Sequence, residues 1–125
     1  NLLELIDYQC FANNLIKHIF LPVSIRIICR QAFINNKIES IVFSPNLICI
    51  QDKAFANNKI NHLSLSDNIR YIGKEAFMNN RIQNIIIPEK ITKIKKRCFY
   101  NNFLEYIQLS KNIKNTLEKF VKFSV

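Results

Sequence analysis

Apolar residues along this chain follow neither a 3.6-residue nor a 2-residue period for long, but they recur faithfully every 22 residues. We number each 22-residue unit from the small residue that precedes a recurring phenylalanine, so that units begin at Cys10, Ala32, Ala54, Ala76 and Cys98. Apolar side chains then return at position 7 (Ile16, Ile38, Ile60, Ile82, Leu104) and position 10 (Ile19, Ile41, Leu63, Ile85, Ile107). They return again at position 12 (Leu21, Phe43, Leu65, Ile87, Leu109), position 16 (Ile25, Leu47, Ile69, Ile91, Ile113) and position 19 (Ile28, Ile50, Ile72, Ile94). Positions 10 and 12 alternate with variable neighbours, as a short strand with one buried face requires. The pattern predicts a strand of roughly three to five residues at positions 8 to 12 of every unit. It excludes one long helix or one long strand.

A repeat of this length is one coil of a solenoid, which buries its apolar side only against its neighbours. Stacking brings equivalent residues to about 4.8 Å, so the strands pair in parallel. Phe11, Phe33, Phe55, Phe77 and Phe99 then form a column, with room beside it only for Ala or Cys. Each phenylalanine is followed, one residue later, by Asn-Asn. With Gly73 the sole glycine, corners fall to residues that tolerate left-handed backbone, and Asn is the best of these. One Asn per coil is also expected to bond backbone amides of a neighbouring coil that belong to no strand.

These spacings resemble a leucine-rich repeat, with Ile38-x-x-Ile41-x-Phe43 in place of L-x-x-L-x-L. Residues 82–102 resemble more closely the BspA-like form, roughly L-x-x-I-x-L-P-x-x-I-x-x-I-x-x-x-A-F-x-x-N, with Pro88 at the proline place. The usual asparagine five residues after position 12 is absent; the asparagines sit past the Phe instead. The resemblance implies a right-handed leucine-rich-repeat solenoid of the horseshoe type. Its short parallel strands would lie on a concave face, with turns and short 3-10 or helical segments elsewhere. It also implies a role in adhesion or protein binding at a cell surface or in secretion, and it brings no catalytic residues or cofactor.

The 125 residues read as a single domain. Five repeats cover 10–113, a partial repeat 1–9, and a C-terminal cap 114–125, in which Leu117, Phe120 and Val121 lie at helical spacing. Because Leu3 and Ile6 already keep register, the chain is expected to be a piece of a longer protein. No apolar run reaches membrane-spanning length. Cys10, Cys29, Cys49 and Cys98 contain no C-x-x-C, so a metal site is not expected. Cys10 and Cys98, at the small position, read as buried core residues, and a Cys29–Cys49 disulfide is left open.

Strand positions 9, 11 and 13 should point outward. Column 9 reads His18, Ser40, His62, Asn84 and Tyr106; column 11 reads Phe20, Val42, Ser64, Ile86 and Gln108. Column 13 reads Pro22, Ser44, Ser66, Pro88 and Ser110. None of the three columns contains Lys or Glu, which is the composition of an interface centre. The expected protein-binding residues are His18, Phe20, Val42, His62, Ser64, Asn84, Ile86, Tyr106 and Gln108. The net charge of +9 lies elsewhere: Lys37, Lys59 and Arg81 occupy position 6, and Lys93, Lys95, Lys96 and Arg97 cluster without an acid among them. This supports an alternative, a polyanion- or glycan-binding adhesin. A purely structural spacer is the third reading. Sparse carboxylates, isolated histidines and the lack of a glycine-rich phosphate loop argue against an enzyme, and no nucleic-acid motif appears. A monomer without cofactors is the expectation.

Overall fold

The computed structural model describes residues 3–91 and 95–109. The cap expected over 114–125, and Lys93, lie outside these residues. The described chain is a parallel-strand solenoid of about five coils, built from eight short strands. β2 (His18–Phe20), β4 (Ser40–Val42), β7 (Asn84–Ile86) and β8 (Tyr106–Gln108) occupy positions 9 to 11, inside the segment read from the alternation. Their middle residues, Ile19, Ile41, Ile85 and Ile107, turn inward, and the flanking residues are exposed.

A second ladder stands at positions 18 and 19, where no strand was expected. β1 (Leu5–Ile6), β3 (Ile27–Ile28), β5 (Cys49–Ile50) and β6 (Tyr71–Ile72) form one parallel sheet in the order β1-β3-β5-β6. Position 19 supplies the buried side chain, while position 18 varies freely from Leu to Tyr. That is why only half of its strand signal is visible in the sequence. The register sets Cys49 beside Ile27 and Ile50 beside Ile28, so Cys29 and Cys49 stand two residues out of step. All four thiols are free.

The phenylalanine column stacks as expected, with centroids 5.2 to 5.8 Å apart and planes within 11° of parallel. Phe55, Phe77 and Phe99 are fully buried, and Ala32, Ala54, Ala76 and Cys98 fill the space beside them. Cys10 is exposed, contrary to expectation, and its neighbour Phe11 is 40% exposed. A solenoid residue is covered from both sides only where a coil packs on each, and the first described coil has a neighbour on one side.

Two asparagine ladders run beside the rings. The first Asn of each pair (Asn13, Asn35, Asn57, Asn79, Asn101) adopts φ of 58 to 60°, the left-handed corner that Asn tolerates. Its side chain donates through Nδ2 to Oδ1 of the preceding coil's Asn, at 2.6 to 2.8 Å along the whole column. The second Asn points inward. Asn58 accepts from the Ile38 N–H at 3.0 Å and donates to the carbonyls of Phe33 and Phe55. Asn36, Asn80 and Asn102 repeat this arrangement. Buried backbone groups outside any strand are thereby paired.

A further left-handed residue precedes each small position: Gln9, Gln31, Lys53, Glu75 and Arg97, with φ of 52 to 59°. Nothing in their side chains announces it. The turn forces the conformation, at a cost of about 1–2 kcal/mol each. Turns link the strands, and among the described residues no helix of either kind occurs, so the expected helical segments are replaced by turns. Gly73 has a separate cause. A Cβ there would collide with the backbone and carboxylate of Asp52, which accepts the Lys74 N–H at 2.8 Å.

Candidate binding face

Columns 9 and 11 form the exposed side of the strand ladder. Phe20 is 80% exposed, and Val42, Ile86 and Tyr106 are each more than half exposed. His18, His62, Ser64, Asn84 and Gln108 are exposed beside them. Leaving large apolar side chains in water forfeits about 25 cal/mol for each Å2 they could bury. Column 13, expected to point outward, is mixed: Pro22 is exposed, Ser66 is half-buried, Pro88 is buried and Ser44 is fully buried. The Ser44 hydroxyl donates to the Val23 carbonyl at 3.1 Å and accepts from the Asn46 N–H; the Ser66 hydroxyl donates to the Ser44 carbonyl. Those serines hold a turn.

The face has two parts. At one end Phe20 and Val42 lie side by side across β2 and β4, next to His18, whose Nδ1 is 2.7 Å from the Ser40 hydroxyl. Towards the other end a cavity of about 520 Å3 opens between the third and fourth coils, lined in part by His62, Ser64, Asn84, Ile86 and Tyr106. Five of the nine expected residues therefore share one concavity. Gln108 stands beyond it, accepting from the Tyr106 hydroxyl at 3.1 Å.

The basic residues are arranged differently from the sequence reading. Lys37 and Arg81 are exposed and Lys59 half-buried, one coil apart, as the column implied. Arg97 is not part of an acid-free cluster. Its guanidinium lies 3.7 Å from the Glu75 carboxylate, which also stands 3.8 Å from the Lys53 ammonium. The ammonium of Lys95 lies 5.3 Å from the centre of the Tyr71 ring, and the guanidinium of Arg97 lies 5.7 Å from that of Tyr100. Lys96 is exposed. The partners of Arg97 and Lys95 sit 22 and 24 residues away in sequence, so a search along the chain misses them. Reading down the columns would have found Glu75 between Lys53 and Arg97.

Among the described residues no group of three or more His, Cys, Asp or Glu could hold a metal ion, and no helix is long and apolar enough to cross a membrane. Burial raises the pKa values of Cys29, Cys49 and Cys98, most strongly for the fully buried Cys98, which favours the protonated thiol.

Comparison with known proteins agrees with this geometry. A structure of a leucine-rich repeat protein from Bacteroides ovatus ATCC 8483 superposes with a TM-score of 0.76 at 26% identity. The match covers 85% of this chain and 29% of that one, so the present chain spans less than a third of that relative's length. No curated protein matches the chain. The family model for the BspA type leucine rich repeat region matches residues 4–122 in six copies. The chain belongs to the BspA-type leucine-rich repeat family.

Proposed function

We propose that this chain is a non-enzymatic recognition module that captures a protein partner on the exposed side of its strand ladder. The family and fold are those of interaction or structural repeat modules. The observation that carries the reading further is the pair of columns in which Phe20, Val42, Ile86 and Tyr106 stand exposed with no charged residue among them. Such a patch loses little on desolvation and gains from burial, as interface centres do. An adhesion-type role, secreted or at a cell surface, follows the implication of the repeat class.

A display library of protein fragments panned over the immobilised chain tests this. Fragments recovered by the wild type should lose at least tenfold in affinity towards a Phe20→Lys/Val42→Lys or an Ile86→Lys/Tyr106→Lys variant, about 1.4 kcal/mol. Unchanged affinity in both variants rejects the face. Lys37, Lys59 and Arg81 support the second reading, a polyanion-binding module. The two separate by salt: polyanion affinity falls by orders of magnitude between about 50 and 200 mM salt, whereas capture by an apolar face barely changes.

A further inference from the structure

The cavity exists because the strand ladder comes apart at one place. Between the first and second coils Ser40 N donates to Lys17 O and Leu21 N to Val42 O; between the fourth and fifth, Tyr106 N donates to Gln83 O and Ile87 N to Gln108 O. The second and third coils retain a single bridge, Ser40 with His62. Between the third and fourth, no bond of this kind joins residues 61–65 to residues 83–87. The same two coils stay fastened elsewhere: Arg81 N donates to Ile60 O, and Phe55 N to Ala76 O, both at 2.8 Å. The solenoid is closed at the asparagine corner and parted along the strand.

One core side chain near the parting departs from the repeat. At position 12 four coils carry Leu21, Leu65, Ile87 and Leu109, but the second carries Phe43. Its buried ring meets Phe55 of the third coil edge-on at 5.8 Å and Phe77 of the fourth at 6.5 Å. A ring reaching across two coils fills core volume beneath the third strand segment, and packed interiors do not compress to accommodate it.

We propose that this gap, held open by Phe43, is a docking slot for an extended, uncharged peptide segment. The inference rests on the protein-partner reading above and names the part of the partner that enters. The fourth coil's lip is the extended strand β7, and on the side facing the third coil it lacks the backbone bonds that close the ladder between the fourth and fifth coils. A peptide main chain carries the same groups in the same alternation, so it can pair with a lip as an added strand does. Apolar Ile86 and Tyr106 offer contact to its side chains, while Ser64 and Asn84 add neutral hydrogen-bonding groups. The lining contains one carboxylate, Asp67, and no lysine or arginine, so a strongly acidic segment finds no permanent counter-charge.

The test passes a library of short, end-capped, uncharged peptides over the immobilised chain and follows amide hydrogen exchange at Asn84 and Ile86. Peptides should be retained, and they should slow exchange at both amides about tenfold, the worth of one net hydrogen bond. Phe43→Leu should close the gap, slowing those amides without peptide and abolishing retention. Ser64→Trp, at an exposed position, should block the slot without disturbing the core. Phe20→Lys/Val42→Lys should leave peptide retention intact, so that failure of the wider face and failure of the slot are told apart. The proposal is overturned if no peptide is retained or if both amides exchange unchanged with peptide bound. Retention surviving Phe43→Leu, or neutral oligosaccharides retained where peptides pass through, overturns it equally.

Discussion

The asparagine corner and the strand face belong to the same 22-residue unit, yet one is identical in every coil and the other differs in each. At the corner Phe, Asn and Asn never change, and the bonds between coils run unbroken through the described chain. On the face, columns 9 and 11 hold ten residues of eight types, and the ladder breaks beside the third coil. The contrast separates two tasks. Uniform residues hold the stack, because each must match the copy above and below it. Varied residues are released from that duty and free to meet something else.

The contrast makes substitutions at the corner costly and those on the face cheap. Phe55→Ala should cost about 3–5 kcal/mol in denaturant unfolding, because a fully buried ring leaves a cavity in the middle of its column. Phe11→Ala, at the part-exposed end of the same column, should cost distinctly less. Asn58→Ala comes next, at about 2–4 kcal/mol, since the Ile38 amide and the Phe33 and Phe55 carbonyls lose a buried partner together. Phe20→Ser on the face should stay within about 0.5 kcal/mol of wild type. A face substitution as damaging as Asn58→Ala would erase the distinction.

Cys98 sharpens it through pH. Burial raises its pKa in the folded state above the unfolded value, so folding favours the protonated thiol. Its contribution is fully present below the unfolded pKa, near 8.5. It is lost as pH climbs beyond that point, by up to about 1.4 kcal/mol per pH unit. Cys98→Ala, which copies Ala32, Ala54 and Ala76, should flatten this alkaline loss in unfolding titrations. Iodoacetamide should label exposed Cys10 in the native protein and leave Cys98 untouched. The Lys53, Glu75 and Arg97 group should matter little. With both ion pairs loose and the cations part-exposed, Glu75→Gln should cost under about 1 kcal/mol, and less in high salt.

What could be read in advance divides along the same line. The period, the ring column, the structural asparagines and the strand at positions 9 to 11 all show in one unit compared with the next, because packing against an identical copy demands identical residues. The second ladder at positions 18 and 19 was hidden, since a strand with one fixed apolar residue and a variable neighbour leaves half a signal. The left-handed Gln31, Lys53 and Glu75 were hidden because the turn, and not the residue type, dictates their backbone. On the face, columns 9 and 11 and their exposure were legible from alternation, whereas column 13, read the same way, has Ser44 and Pro88 turned in. The cavity was not, because it lies between coils, where no single unit read by itself shows it.

The outer asparagine column has one further consequence. Every amide in it donates towards the lower-numbered coil, from Asn101 to Asn79, Asn57, Asn35 and Asn13 in turn. The dipoles of successive side chains therefore point the same way and add, as peptide dipoles add in a helix. The column by itself acquires an electrical sense of direction, positive towards Asn13 and negative towards Asn101, which the backbone bonds beside it oppose, Phe33 N donating to Ala54 O in the higher-numbered coil.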